Sequence, residues 1–140
     1  MAYIDPSVLA AYYCPEPRSD RVQRVLAGLD ARVISPLVEV ELCSAVAAKV
    51  RTRELDATSG RRVLELFRQH LADGAFGVVP VGAAQYRLAG DWLGGFKSAL
   101  RALDALHLAT ASAHDLPILT ADRALAKAAQ VYGVRHQLLR

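Results

Sequence analysis

Short apolar runs alternate with longer segments whose apolar residues recur every three or four positions, and this alternation narrows the fold more than any other feature. Ala2 to Ile4, Arg32 to Ser35, Phe76 to Val81 and Leu116 to Thr120 read as strands, with a last short one within Val134 to Leu138. Asp5-Pro6 supplies an N-cap and a first helical position for a helix over Ser7 to Tyr13. Arg18 to Leu29 carries Val22, Val25, Leu26 and Leu29 on one inward face. Ser35-Pro36 repeats the cap-then-proline signal and opens a helix to about Arg53 that is apolar on nearly every side, which predicts burial or an interface. Asp56 to Ala72 is amphipathic along Val63, Leu64, Phe67 and Leu71, and helices over Ala83 to Leu93, Leu100 to His114 and Asp122 to Tyr132 complete the series. Such alternation predicts an α/β fold: three layers, α/β/α, around a central, mostly parallel sheet of four or five strands.

With 140 residues, 53% of them hydrophobic, the chain suffices for one core, so a single domain over residues 1–140 is expected to carry the whole function. A net charge of +3 permits an anionic partner without requiring one. The two cysteines, Cys14 and Cys43, match neither a redox pair nor a zinc spacing, and they read as small apolar residues in a reducing compartment. Met1 to Asp5 lacks the basic-then-apolar pattern of a secretory signal, and no window approaches the roughly 18 uncharged apolar residues of a spanning helix. The expectation is a cytoplasmic protein without a membrane segment.

The acids carry the chemistry. Asp5 ends the first strand and Asp122 follows the fourth, so both face the carboxyl rim of the sheet if those strands are neighbours. Each is also an ordinary helix cap. Asp104 is harder to explain as structure: its helical neighbours are Leu100, Arg101, His107 and Leu108, a largely apolar face, and a buried carboxylate must be protonated, paired or bound to a cation. Pairing with Arg101 or His107 is the structural alternative. Glu41 shares its side of a helix with Leu37, Val38, Ala45 and Ala48, while Glu39 stands nearly opposite in the first turn; geometry alone does not choose between them. Carboxylates at two strand ends and two apolar helix faces are most economically explained as one cluster. Without thiols or a histidine array, oxygen donors of this kind suit Mg²⁺ or Mn²⁺. His107, beside apolar residues, reads as a packed or hydrogen-bonded core group rather than a general base.

Tyr3-Ile-Asp-Pro-Ser-Val-Leu9, Val40-Glu-Leu-Cys-Ser-Ala45, Leu100-Arg-Ala-Leu-Asp-Ala-Leu-His-Leu-Ala109 and Ile118-Leu-Thr-Ala-Asp-Arg-Ala-Leu125 together resemble the PIN-domain nucleases, specifically the VapC-type toxins of toxin-antitoxin pairs. The resemblance spans essentially the whole chain. It implies that the family's acids fall on Asp5, Glu41, Asp104 and Asp122, and so prefers Glu41 to Glu39. It also gives Ser7 and Thr120 a helping role in ordering the first acid or the metal waters. Pro6 departs from the commoner threonine but leaves the carboxylate intact.

By the same resemblance, the chain is expected to be an endoribonuclease cleaving tRNA or rRNA with a Mg²⁺- or Mn²⁺-activated water. A homodimer neutralised by a VapB-type antitoxin is implied as well. Arg101 and Arg123 stand near the acids in sequence, with Lys97 and Lys127 further off, as candidates for substrate phosphates. The helix over Leu37 to Val50 and the Leu9, Tyr12, Tyr13 cluster are candidate partner surfaces or core. An RNA-processing nuclease without an antitoxin is the alternative. A receiver-like signalling domain fits poorly, because Val78 to Gly82 contains no acceptor aspartate and Lys127 lies within a helix.

Overall fold

The apolar runs become strands. In the computed structural model, which describes residues 1–140, the order is β1 (Ala2–Ile4), α1 (Pro6–Tyr13), α2 (Ser19–Ala27), β2 (Arg32–Ile34), α3 (Pro36–Arg51), α4 (Ala57–Ala72), β3 (Gly77–Val78), α5 (Ala83–Gly94), α6 (Ala102–Ala113), β4 (Ile118–Thr120), α7 (Arg123–Val131) and β5 (His136–Leu138). The sheet has five strands, all parallel, in the order β3-β2-β1-β4-β5. Tyr3 is aligned with Val33 on one side and Ile118 on the other.

Parallel strands joined by right-handed crossovers fix where the helices lie. The chain steps outward from β1 to β2 to β3, which puts α1 to α4 on one face; it then crosses back to β4 and β5, which puts α5 to α7 on the other. The packing of α1 against α2 and α3, of α3 against α4, and of α6 against α5 and α7 agrees. Both faces are therefore covered, and Tyr3, Ile4, Ile34 and Ile118 are each at most 1% exposed. Burying side chains of this size stabilises the fold by roughly 1.5–3 kcal/mol each. That core holds the strand ends rigidly.

One expectation needs correction, and two open alternatives narrow. The third strand is two residues rather than six: after Val79 donates to the Ile34 carbonyl at 2.9 Å, Pro80 has no N–H to continue the ladder. Of the two readings of helix α3, burial holds for one face only: Val38, Leu42 and Val46 face the core while Val40 is 66% exposed. Leu9 and Tyr13 belong to the core, with only Tyr12 half-buried, so that cluster is packing. Of the two free cysteines, Cys14 is buried as expected and Cys43 half-buried. No helix is long and apolar enough to cross a membrane.

Strand order reverses at β1 and β4: successive strands run outward from β1 on one side and from β4 on the other. Crevices at such switch points, beyond the carboxyl ends of the strands, are where parallel sheets place ligands. Asp5 and Asp122 emerge there.

Candidate active site

Asp5 directly follows β1 and is the N-cap of α1, its carboxylate accepting from the Ser7 backbone N–H at 3.3 Å. The same oxygen, Oδ2, accepts the Ser7 hydroxyl and, at 3.0 Å, the Thr120 hydroxyl from the end of β4. Those hydroxyls are themselves aimed by backbone donors: Ala121 N–H bonds Ser7 Oγ at 2.9 Å, and Asp122 N–H bonds Thr120 Oγ1 at 3.0 Å. Every protein hydrogen bond to the carboxylate ends on Oδ2, which leaves Oδ1 to the cleft. Asp5 is only 4% exposed, and burial pushes its carboxyl above the usual range, against the pull of Ser7, His107 and Thr120.

Glu41 reaches the same cleft from α3. Its Oε2 is held by His107 Nε2, a residue of α6 that is 1% exposed. His107 Nδ1 lies 2.7 Å from the Tyr3 hydroxyl, which in turn lies 2.7 Å from Ser35 Oγ. A neutral imidazole satisfies this chain: Nε2–H donates to the carboxylate, Tyr3 O–H donates to Nδ1, and Ser35 O–H donates to the Tyr3 oxygen. Burial drives the Tyr3 phenol well above its ordinary pKa, so it remains a donor. Ser35, placed as an N-cap by sequence, makes no cap bond, because its hydroxyl is committed to Tyr3. Neither Tyr3 nor Ser35 stood out in the sequence, since an apolar run disguised the first and a helix start the second.

Asp104 stands in the first turn of α6, half-buried and in no ion pair. Neither structural partner claims it: Arg101 is exposed at the N-cap, and His107 bonds Glu41. Burial raises its pKa, and the negative charges of Asp5, Asp122 and Glu41 raise it further, with His107 opposing. Asp122 caps α7, Oδ1 accepting from Ala124 N–H at 2.7 Å and Leu125 N–H at 3.3 Å, so its second oxygen is uncommitted. Its two readings, cap and site residue, are compatible.

All four acids line one open cleft of about 470 Å³, together with Ser7, Val40, Ser44 and Leu103, and no Lys, Arg or His lines it. Glu41 is among the lining residues and Glu39 is not. Thr120 lies beneath, fully buried, while Arg101 and Arg123 are exposed and outside the cleft.

The donor chemistry suits a hard divalent cation: oxygens only, several of them uncommitted, with unrelieved negative charge. No group of three or more His, Cys, Asp or Glu side chains stands at mutual metal-ligating spacing. Mg²⁺ does not require one, because it retains several waters and is commonly held by one or two carboxylates.

A family model for the PIN domain matches residues 2–131. Among solved structures, the chain is similar to FitAcB from Neisseria gonorrhoeae at 23% identity, covering 97% of this chain and 96% of that one with a TM-score of 0.70. It is also similar to VapC20 of Mycobacterium tuberculosis, described as a Sarcin-Ricin loop cleaving toxin, at 16% identity over 91% and 95% of the two chains, TM-score 0.71. VapBC2 from Rickettsia felis, solved with a DNA fragment from its promoter, gives 14% identity over 100% of both chains, TM-score 0.69. At these identities the structures show a shared fold. Curated protein sequences give no match. The family model spans nearly the full length and takes in all four cleft acids, and the chain belongs to the PIN-domain family.

Proposed function

We propose that this chain is a single-domain, metal-dependent endoribonuclease, the toxin of a toxin-antitoxin pair, acting on tRNA or rRNA in the cytoplasm. The observation that carries the reading is the cleft itself: Asp5, Glu41, Asp104 and Asp122 on one wall system, with no cationic side chain among them. Such a site is electrostatically incomplete without a cation.

Asp5 Oδ1, Asp104, the free oxygen of Asp122 and Glu41 Oε1 are the groups that would hold Mg²⁺ or Mn²⁺. When bound, the ion supplies activation of water and neutralisation of phosphate charge for phosphodiester hydrolysis. The protein's own part is orientation. Ser7 and Thr120 lock the Asp5 carboxylate, the cap bonds lock Asp122, and His107 locks Glu41. Asp104 alone is left without a protein partner.

The toxin role is supported by the solved relatives, which include a toxin-antitoxin complex from Klebsiella pneumoniae and the VapBC assembly of Rickettsia felis. At the cleft rim Val40 and Leu103 are 66% and 46% exposed, apolar surface suited to a VapB-type antitoxin or a second copy in a homodimer.

The test is cleavage of purified tRNA and rRNA with Mn²⁺, comparing wild type with Asp5→Asn and Asp104→Asn. Metal-dependent cleavage by the wild type alone is expected. Activity that survives excess EDTA, or either substitution, would sink the mechanism, and a co-purifying protein expressed from the adjacent gene tests the antitoxin.

A further inference from the structure

The cleft is lined by acids and by no Lys, Arg or His, so protein cations for the phosphates of a polyanionic substrate flanking the scissile one have to come from outside it. Two grooves meet on α7. One, of about 370 Å³, is lined by Phe96, Lys97, Ala124, Lys127 and Val131; the other, of about 450 Å³, by Arg123, Lys127, Gln130 and His136 among others. Lys127 belongs to both, and neither groove contains an Asp or Glu. Lys97, Arg123 and Lys127 are exposed and take part in no ion pair. Arg123 and Lys127 are four residues apart on one helix and therefore share a face, beginning at the residue after Asp122.

Phe96 supplies the second observation. It is 90% exposed, and its backbone lies in the left-handed region at φ 58°. That conformation is unfavourable for a bulky side chain, and here no packing compensates. The loop that carries it is nonetheless tied down. Trp92 and Tyr132 stack at 4.6 Å and 15°, the Tyr132 hydroxyl donates to the Trp92 carbonyl at 3.1 Å, and Ser98 Oγ lies 3.0 Å from that hydroxyl. An aromatic ring is thus held out beside a row of unpaired cations.

We infer that this face of α7, with the Phe96 loop, is the binding track for a single-stranded flank of the RNA: Lys97, Arg123 and Lys127 take phosphates, and a base stacks on Phe96. The inference rests on the nuclease reading for the identity of its ligand. Aromatic platforms beside cationic grooves are the general chemistry of sequence-tolerant single-strand binding.

The probe is a fluorescein-labelled single-stranded RNA of mixed sequence, followed by anisotropy in EDTA so that binding is read without cleavage. Lys127→Glu and Phe96→Ala are compared with Arg68→Glu, an equal charge change on exposed α4. Phe96→Ala is expected to weaken binding about tenfold. Lys127→Glu should weaken it similarly and lower the slope of log Kd against log salt by about 0.7, the loss of one phosphate contact. Arg68→Glu should stay within about twofold of wild type, since a charge distant from the strand contributes only weakly. Binding by Lys127→Glu no weaker than by Arg68→Glu, or unchanged by Phe96→Ala, overturns the track. If the track variants lose binding but wild type fails to cleave with Mn²⁺, the nuclease reading fails and the track stands; cleavage with unaltered binding by the variants gives the reverse.

Discussion

Replacing His107 by leucine isolates the support of Glu41 from the carboxylate itself. The side chain is 1% exposed and similar in volume to leucine, so the packing change is small and two hydrogen bonds are what is lost. The Tyr3 hydroxyl keeps Ser35 as a partner, which limits that loss to about 1 kcal/mol. Glu41 is 22% exposed, so water restores part of what its carboxylate loses, and about 2 kcal/mol is a reasonable charge for that bond. Together these give about 3 kcal/mol, or a fall in Tm of roughly 10 °C for a domain of this size. His107→Gln, which offers one donor and one acceptor on a flexible stem, should recover at least half of it. The assay is urea and thermal unfolding in EDTA, repeated with Mn²⁺ to read the metal-induced rise in Tm. A positioning role requires that the Mn²⁺-induced rise shrink in His107→Leu and return in His107→Gln. Equal stability of His107→Leu and wild type, or a full Mn²⁺ response in the leucine variant, would refute the role of His107 in holding Glu41.

Asp122 should separate into its two roles. Asp122→Asn keeps the cap of α7 and changes stability by only a few tenths of a kcal/mol, Asp122→Ala costs about 1 kcal/mol, and both lose cleavage; an active Asp122→Asn would show the residue to be a cap alone. Ser7→Ala removes a donor to Asp5 and should lower Mn²⁺ affinity about 10–100-fold, read by calorimetric titration, with unchanged affinity contradicting the proposed orientation of Asp5. Asp5 and Asp104 have folded pKa values raised above their ordinary value, so the folded protein binds more protons than the unfolded chain between the two values. Their contribution therefore stabilises the metal-free protein at low pH and is lost as pH rises from about 4 through the raised values. Exposed Asp30, Glu54 and Asp56 are shifted the other way, so the readout is the wild-type stability profile minus that of Asp5→Asn, Asp104→Asn. A difference that grows more favourable to wild type with rising pH would contradict the sign.

Periodicity was enough to place all five strands and seven helices in order, and the Asp5-Pro6 and Ser35-Pro36 starts were legible because capping and proline geometry act within a few residues. The length of β3 was not, since an apolar run says nothing about the edge position where Pro80 ends the ladder. Asp104 announced itself as an acid on an apolar face, and the structure leaves it without the Arg101 or His107 partner that would have made it ordinary.

Sequence by itself determined which residue types were available to the site, and its motifs marked Asp5, Glu41, Asp104 and Asp122. Only the tertiary structure decided that β1 lies beside β4, which brings the Thr120 hydroxyl to the Asp5 carboxylate and opens the cleft at the reversal of strand order. Only it decided that His107 serves Glu41, 66 residues away, and that Tyr3 and Ser35 complete the relay. The reason is physical. Propensity, capping and amphipathicity are local along the chain, whereas a hydrogen bond between residues on different elements exists only once strand order and crossover handedness have been chosen. The four acids were legible as a cluster; the cleft they line, and the partners that hold each of them, were properties of the fold.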